Sequence, residues 1–217
     1  HAVFVRMNAL TRNLETAFVQ NGVLFQIVKG QAFFDRKENR DVLAYLRLIV
    51  NPVDNLSFLR AVNEPSRGIG KVSLDHLQAY AEASQISLLE ASGRLEKIPL
   101  IKGKARDGLR HFHKLIAELR GTLESPPEEI IRNVLDKSGY REMLRGSSED
   151  DDIDRLANVE ELITSAMQFV AEDGTRTLRD FLEQITLASD VDSWDEQQNC
   201  VSVMTLHAAK GLEFPVV

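Results

Sequence analysis

Apolar positions fall in two rhythms along the 217-residue chain. Ala2-Val3-Phe4-Val5 is a continuous apolar run rich in β-formers, which predicts a buried strand of a parallel sheet ending at Arg6. A helix is expected from Thr11 to Gln20, stopped by Asn21-Gly22, and Leu24 to Val28 predicts a second strand. From about Asp35 the spacing becomes helical. Val42, Leu43, Leu46, Ile49 and Val50 share a face that ends at Asn51-Pro52, because the residue before proline is pushed out of the α region. Asp54 is placed to cap a helix carrying Leu56, Leu59 and Val62, Pro65 to Gly70 reads as a turn, and another helix should begin near Ser73. Leu109, Phe112, Ile116 and Leu119 form one stripe of a long helix. Ser125 with Glu128 has the capping-box spacing before Ile130, Ile131, Val134 and Leu135, and Gly139 is a natural stop. Leu156, Val159, Ile163, Ala166 and Val170 mark a further helix, and Thr177 starts one with Phe181, Leu182 and Ile185. After a polar linker from Ser189 to Asn199 the strand rhythm returns, over Cys200 to Leu206 and again over Phe214 to Val217.

The architecture this predicts is α/β with a large all-α insertion. Residues 1–30 and 199–217 form a partial parallel sheet, and residues 31–198 form the helical insertion. Two or three strands make a poor sheet alone, so the stretch is expected to be a piece of a longer protein. Charge changes the picture more than composition does. Residues 1–146 carry 22 basic and 17 acidic side chains, while residues 147–217 carry 4 and 16. A polyanion is therefore expected along the first two-thirds, with the acidic remainder turned away. No apolar run approaches bilayer length. The single cysteine, Cys200, excludes an internal disulfide and any multi-cysteine zinc site. With no basic start and apolar stretch at the beginning, the expected location is cytoplasmic.

Two segments could carry chemistry. Thr205-Leu206-His207-Ala208-Ala209-Lys210-Gly211-Leu212-Glu213-Phe214-Pro215 follows directly from a strand, and ligands of open α/β sheets gather at the carboxyl ends of strands. Arg6 ends the first strand, so parallel strands would bring both groups to one edge. His207 and Lys210 offer donors to phosphate, Gly211 permits close backbone approach, and Glu213 offers a carboxylate to a sugar hydroxyl. A solvated polar loop is the other reading. The second segment is Pro65-Ser66-Arg67-Gly68-Ile69-Gly70-Lys71, where a turn between helices directs backbone N–H groups outward at a helix start, with Arg67 and Lys71 adding charge. Such contacts would hold a duplex by its backbone without reading bases. An ordinary helical hairpin is the alternative. Asp195-Glu196-Gln197-Gln198 lacks an apolar strand before it and reads as linker. His111 and His113, two apart on a helix, point different ways and make no metal pair, so no metal site is assigned. Phe33-Phe34 reads as core, and Trp194 as either a packing plug or an exposed contact. No Gly-x-x-x-x-Gly-Lys-Ser/Thr sequence occurs, so the phosphate cradle of a P-loop ATPase is missing and the stretch alone should not hydrolyse ATP.

Ala2 to Ala9, Phe34-Asp35-Arg36-Lys37-Glu38, Tyr45 to Pro52, Pro65 to Gly70 and Val203 to Val217 occur in the order found in UvrD/PcrA/Rep-type superfamily 1 DNA helicases, which the chain resembles over nearly its whole length. The resemblance implies part of a second RecA-like, P-loop NTPase-like motor domain interrupted by its helical accessory subdomain. It implies an ATP-dependent helicase moving 3′ to 5′ on single-stranded DNA, with ATP and Mg2+ held between two motor domains and the magnesium ligands outside this stretch. By the same resemblance, Glu213 and Gly211 lie at the nucleotide, and Lys210 couples nucleotide state to DNA grip. Arg6, Asn8, Thr205 and His207 meet the single strand, and Arg67, Gly68, Ile69, Gly70 and Lys71 meet duplex. No catalytic residue falls in this stretch. Relatives often carry an aromatic residue where Val5 stands, which removes a stacking contribution there. Adenine contacts and the arginine finger belong to segments not included here.

Two other functions are set against this one: a non-motor DNA-binding or protein-interaction module, in which the insertion would bind duplex or dock a repair partner, and a helicase subunit of an AddA/RecB-type recombination nuclease.

Overall fold

The computed structural model describes residues 1–5, 14–15, 17–18, 21–27, 33–146, 150–192, 200–205, 209 and 216. Their elements are mostly helical, with one small parallel sheet. The chain divides into two compact units: His1–Arg36 with Glu183–Val217, and Lys37–Leu182.

The first unit carries β1 (Ala2–Val5), β2 (Phe25–Ile27) and β3 (Val201–Thr205). Strand order is β1-β3-β2 and both pairings are parallel. β3 therefore lies in the middle, and its Val203 and Met204 are buried as a central parallel strand requires. Val5 pairs with Thr205 and Ile27 with Val203. Gln26 Nε2 donates to Ser202 Oγ across the pair at 2.9 Å. β1 spans its whole apolar run, whereas β2 and β3 are shorter than theirs. Leu24 stands before β2 and is exposed, and Cys200 precedes β3. Of the strand expected over 214–217, only Val216 is described. It lies outside a strand, and its carbonyl accepts from Ala2 N–H at 2.9 Å. Residues 14, 15, 17 and 18 of the expected first helix are helical. Phe33 is buried and meets Phe34 edge-on at 5.0 Å, so Phe33 is core as read while Phe34 is half-buried.

The second unit is built round α1 (Lys37–Val50), which packs against α2 (Asn55–Ala61), α5 (Gly103–Arg120), α6 (Pro127–Ser138) and α8 (Asp150–Glu172). Surrounded in this way, α1 is buried over most of its circumference, beyond the single apolar face its spacing predicts, and leaves only a stripe with Lys37, Arg40 and Arg47 exposed. Leu109, Phe112, Ile116 and Leu119 of α5 are buried as expected, and Phe112 meets Phe58 and Tyr45 edge-on at 5.4 and 5.9 Å.

Local signals set most boundaries. Asp54 caps α2, its Oδ1 accepting from Ser57 N–H at 3.0 Å. The helix expected near Ser73 is α3 (Lys71–Ser84), which starts earlier because Gly70 serves as its N-cap. Ser87 caps α4 (Leu88–Ser92), and Gly139, at φ +79°, ends α6 before α7 (Tyr140–Arg145). Thr177 and Asp180 exchange hydrogen bonds at the start of α9 (Leu178–Asp192). The Ser125–Glu128 capping box does not form. Proline occupies the first position of α6 and Pro126 its cap, so Ser125 sits one residue too early to reach the first-turn N–H groups.

Candidate nucleic-acid interface

The turn between α2 and α3 is shaped by one side chain from inside. Asn63 Oδ1 accepts from the N–H groups of Arg67 and Ile69, each at 3.3 Å, and its Nδ2 donates to Ile69 O. Ile69 is thereby drawn down and buried, while Gly68 and Gly70 on either side stay exposed. Gly68 sits at φ +70°, a conformation that a side chain would strain. Gly70 O accepts from Ser73 and Leu74 N–H at 3.0 and 3.2 Å, which opens α3. The N–H groups of Gly68, Gly70, Lys71 and Val72 meet no acceptor among the described residues. They lie at the positive end of the α3 dipole, with the exposed Lys71 beside them.

The start of α5 supports the turn from the side. A Cβ on Gly68 would stand 3.6 Å from Lys104 Cβ, so these two positions are neighbours. Gly108 lies so close that a Cβ there would come within 2.6 Å of Arg67 O and 3.1 Å of Ile69 Cγ1. Lys102 and Lys104 are exposed at this end of α5. Asn63, Lys104 and Gly108 are contributors that the sequence reading missed. The available signal was Gly108 itself, a glycine inside an otherwise well-formed amphipathic helix.

Arg67, expected to offer its charge outward, turns its guanidinium inward. Nη1 donates to Ala61 O (3.2 Å), Val62 O (3.0 Å) and Pro65 O (3.0 Å), and Nη2 to the Tyr45 hydroxyl (2.6 Å) and Ser138 O (3.5 Å). The group also lies over the Phe112 and Tyr45 rings, 5.1 and 5.9 Å from their centroids. Tyr45 is fully buried and its hydroxyl donates to Glu64 O at 2.6 Å. Burial pushes its pKa up to about 12 despite the pull of Arg67, so the hydroxyl stays protonated at neutral pH. Nearby, Asp41 pairs with Arg60 at 2.7 Å and accepts from the Tyr140 hydroxyl at 2.9 Å. Burial raises the Asp41 carboxyl above its ordinary range even so, and raises Tyr140 as well.

At the sheet, Val5 and Thr205 pair in register at the carboxyl ends of β1 and β3, so both strands run out at one edge. Arg6, Asn8, His207, Lys210, Gly211 and Glu213 lie outside the described residues, as do Trp194 and the 195–198 linker. His113 Nδ1 is 2.9 Å from Leu89 O and 3.2 Å from Ser92 Oγ, and its ring packs on Gly93. Among the described residues no cluster could hold a metal ion, and no helix is long and apolar enough to cross a membrane.

The model of the UvrD-like helicase C-terminal domain matches residues 1–217. The chain is 37% identical over 223 residues to the ATP-dependent DNA helicase PcrA of Bacillus subtilis. It is 36% identical over 233 residues to the ATP-dependent DNA helicase UvrD1 of Mycobacterium tuberculosis, and 39% identical over 221 residues to PcrA of Staphylococcus aureus. Each alignment covers 100% of this chain but 30% of the relative, so the chain spans about a third of the length of these curated relatives. With the match running over the whole chain, the chain belongs to the UvrD-like helicase C-terminal domain family.

Proposed function

We propose that this chain is the sheet edge and accessory subdomain of the second RecA-like motor domain of an ATP-dependent 3′-to-5′ DNA helicase of the cytoplasm, and that the turn at 65–71 grips duplex DNA by its backbone. The observation that carries the duplex reading is the row of free N–H groups at Gly68, Gly70, Lys71 and Val72, with Lys71, Lys102 and Lys104 around it. Outward N–H dipoles and lysines suit phosphate oxygens and discriminate little between base pairs.

For the motor half, support comes from β1 and β3, which end in register at a common edge where Arg6, Asn8, Thr205 and His207 would meet the single strand. Glu213 and Gly211 would stand at the nucleotide and Lys210 would couple it to DNA. Bound ATP with Mg2+ would supply the energy of translocation through hydrolysis, with its phosphate cradle provided from outside this stretch.

The test is unwinding by the full-length protein. A 3′-tailed duplex should be opened with ATP and a 5′-tailed one should not. The double variant Gly68→Ala/Lys71→Glu should lose about tenfold in unwinding while keeping ATP hydrolysis stimulated by single-stranded DNA, since a side chain at φ +70° strains the turn, the Lys71 contact becomes a repulsion and the motor is untouched. Equal opening of both substrates, or parallel loss of both activities, contradicts the assignment.

A further inference from the structure

The turn's outer surface can serve phosphate only if its inner surface is fixed, and one buried pair does the fixing. We propose that Arg67 and Tyr45 are positioning residues for the duplex-binding turn, holding Gly68 to Lys71 in the shape that presents free N–H groups outward, without touching nucleic acid themselves. The proposal rests on the reading of that turn as a duplex-phosphate site.

The acceptors of Arg67 make the case. Ala61 and Val62 stand at the carboxyl end of α2 and Ser138 at that of α6, where the last carbonyls have no partner within their helices and carry the negative ends of the dipoles. A guanidinium placed among them caps both helices at once. Through Pro65 O it also holds the entry to the turn. Tyr45 completes the clamp, because its hydroxyl accepts from Arg67 and donates to Glu64 O, just before that entry. Three helices, α1, α2 and α6, are thereby locked to the inner side of a loop whose outer side is glycine. With both Nη groups committed and its plane over Phe112, Arg67 keeps no pair of Nη donors to offer a phosphate. Lysine could not replace it, since a single ammonium with three protons cannot span acceptors spread along a planar fork.

Fluorescence anisotropy of the full-length protein with a blunt duplex and with oligo(dT), over a series of salt concentrations, tests this directly. Tyr45→Phe, which removes both hydrogen bonds of this hydroxyl, should weaken duplex binding about fivefold. Arg67→Lys should weaken it further. Both should leave oligo(dT) affinity and the slope of log affinity against log salt unchanged. Lys71→Ala, which removes a direct contact, should reduce that slope by about one. The positioning role is overturned if Tyr45→Phe binds duplex like the parent, or if Arg67→Gln lowers the slope as Lys71→Ala does. Should Arg67→Gln fail to fold, Tyr45→Phe decides alone. If instead Lys71→Ala changes neither duplex affinity nor slope, the assignment of the turn to duplex is what fails.

Discussion

Asp41 shows how a single carboxylate can be both well partnered and costly. Its side chain is 2% exposed, and the pairing with Arg60 and Tyr140 does not offset its loss of water, so its pKa stands above the ordinary 3.8. The sign of the linkage follows. As pH rises from 3.8 towards the raised value, the unfolded chain releases its proton first, and folded stability falls. Asparagine at this position has no proton to release. We expect the melting temperature of the parent to fall relative to that of Asp41→Asn across this window, a trend that thermal melts in a pH series will read. A constant difference would mean that Asp41 titrates alike in both states. None of this was visible in the residue order, because Tyr140, which donates to Asp41, lies far along the chain. Arg67 escaped for the same reason: a turn rich in glycine and cations reads as outward-facing until the carbonyls behind it are located.

Where the governing contact is local, sequence spacing and helix geometry agree. The stripe on α5 is the clearest case, since 3.6-residue periodicity alone puts Leu109, Phe112, Ile116 and Leu119 on one side. Capping gives a matched pair of tests. Asp54→Ala removes the acceptor of Ser57 N–H and should cost about 1 kcal/mol, while Ser125→Ala removes no cap and should stay within about 0.5 kcal/mol. Denaturant titration of the two variants side by side measures the contrast, and an equal cost would mean that Ser125 does stabilise α6. Both residues carry the same kind of signal. The difference is Pro126-Pro127, which sets where the α6 backbone can begin. The buried polar side of α1 was hidden for the opposite reason, since its surroundings come from four separate helices.

Over the whole chain, the alternation of strand and helix rhythms carried the fold class, but periodicity cannot report strand order. The insertion drawn from it, 31–198, and the compact unit 37–182 differ because strand rhythm marks where a sheet stops, whereas compactness follows packing. Residues 183–192 are helical yet belong with the sheet unit. The middle position of β3 leads to a sharp expectation for truncation. Deleting residues 200–217 removes the only strand that β1 and β2 pair with among the described residues. The sheet unit should then lose its amide protection from hydrogen exchange, while residues 37–182 retain theirs. Protection surviving in β1 and β2 would show that they find another neighbour.

The same strand order sets a timetable during synthesis. Roughly 170 residues separate Ile27 from Val201, and at about 5–20 residues per second a ribosome needs on the order of ten seconds to bridge them. Throughout that interval the first two strands have emerged with a vacant lane between them, while the helical unit can already complete itself. Within this stretch the helical unit can therefore mature before the sheet unit, and β1 and β2 are the strands most in need of a chaperone's shelter until β3 arrives.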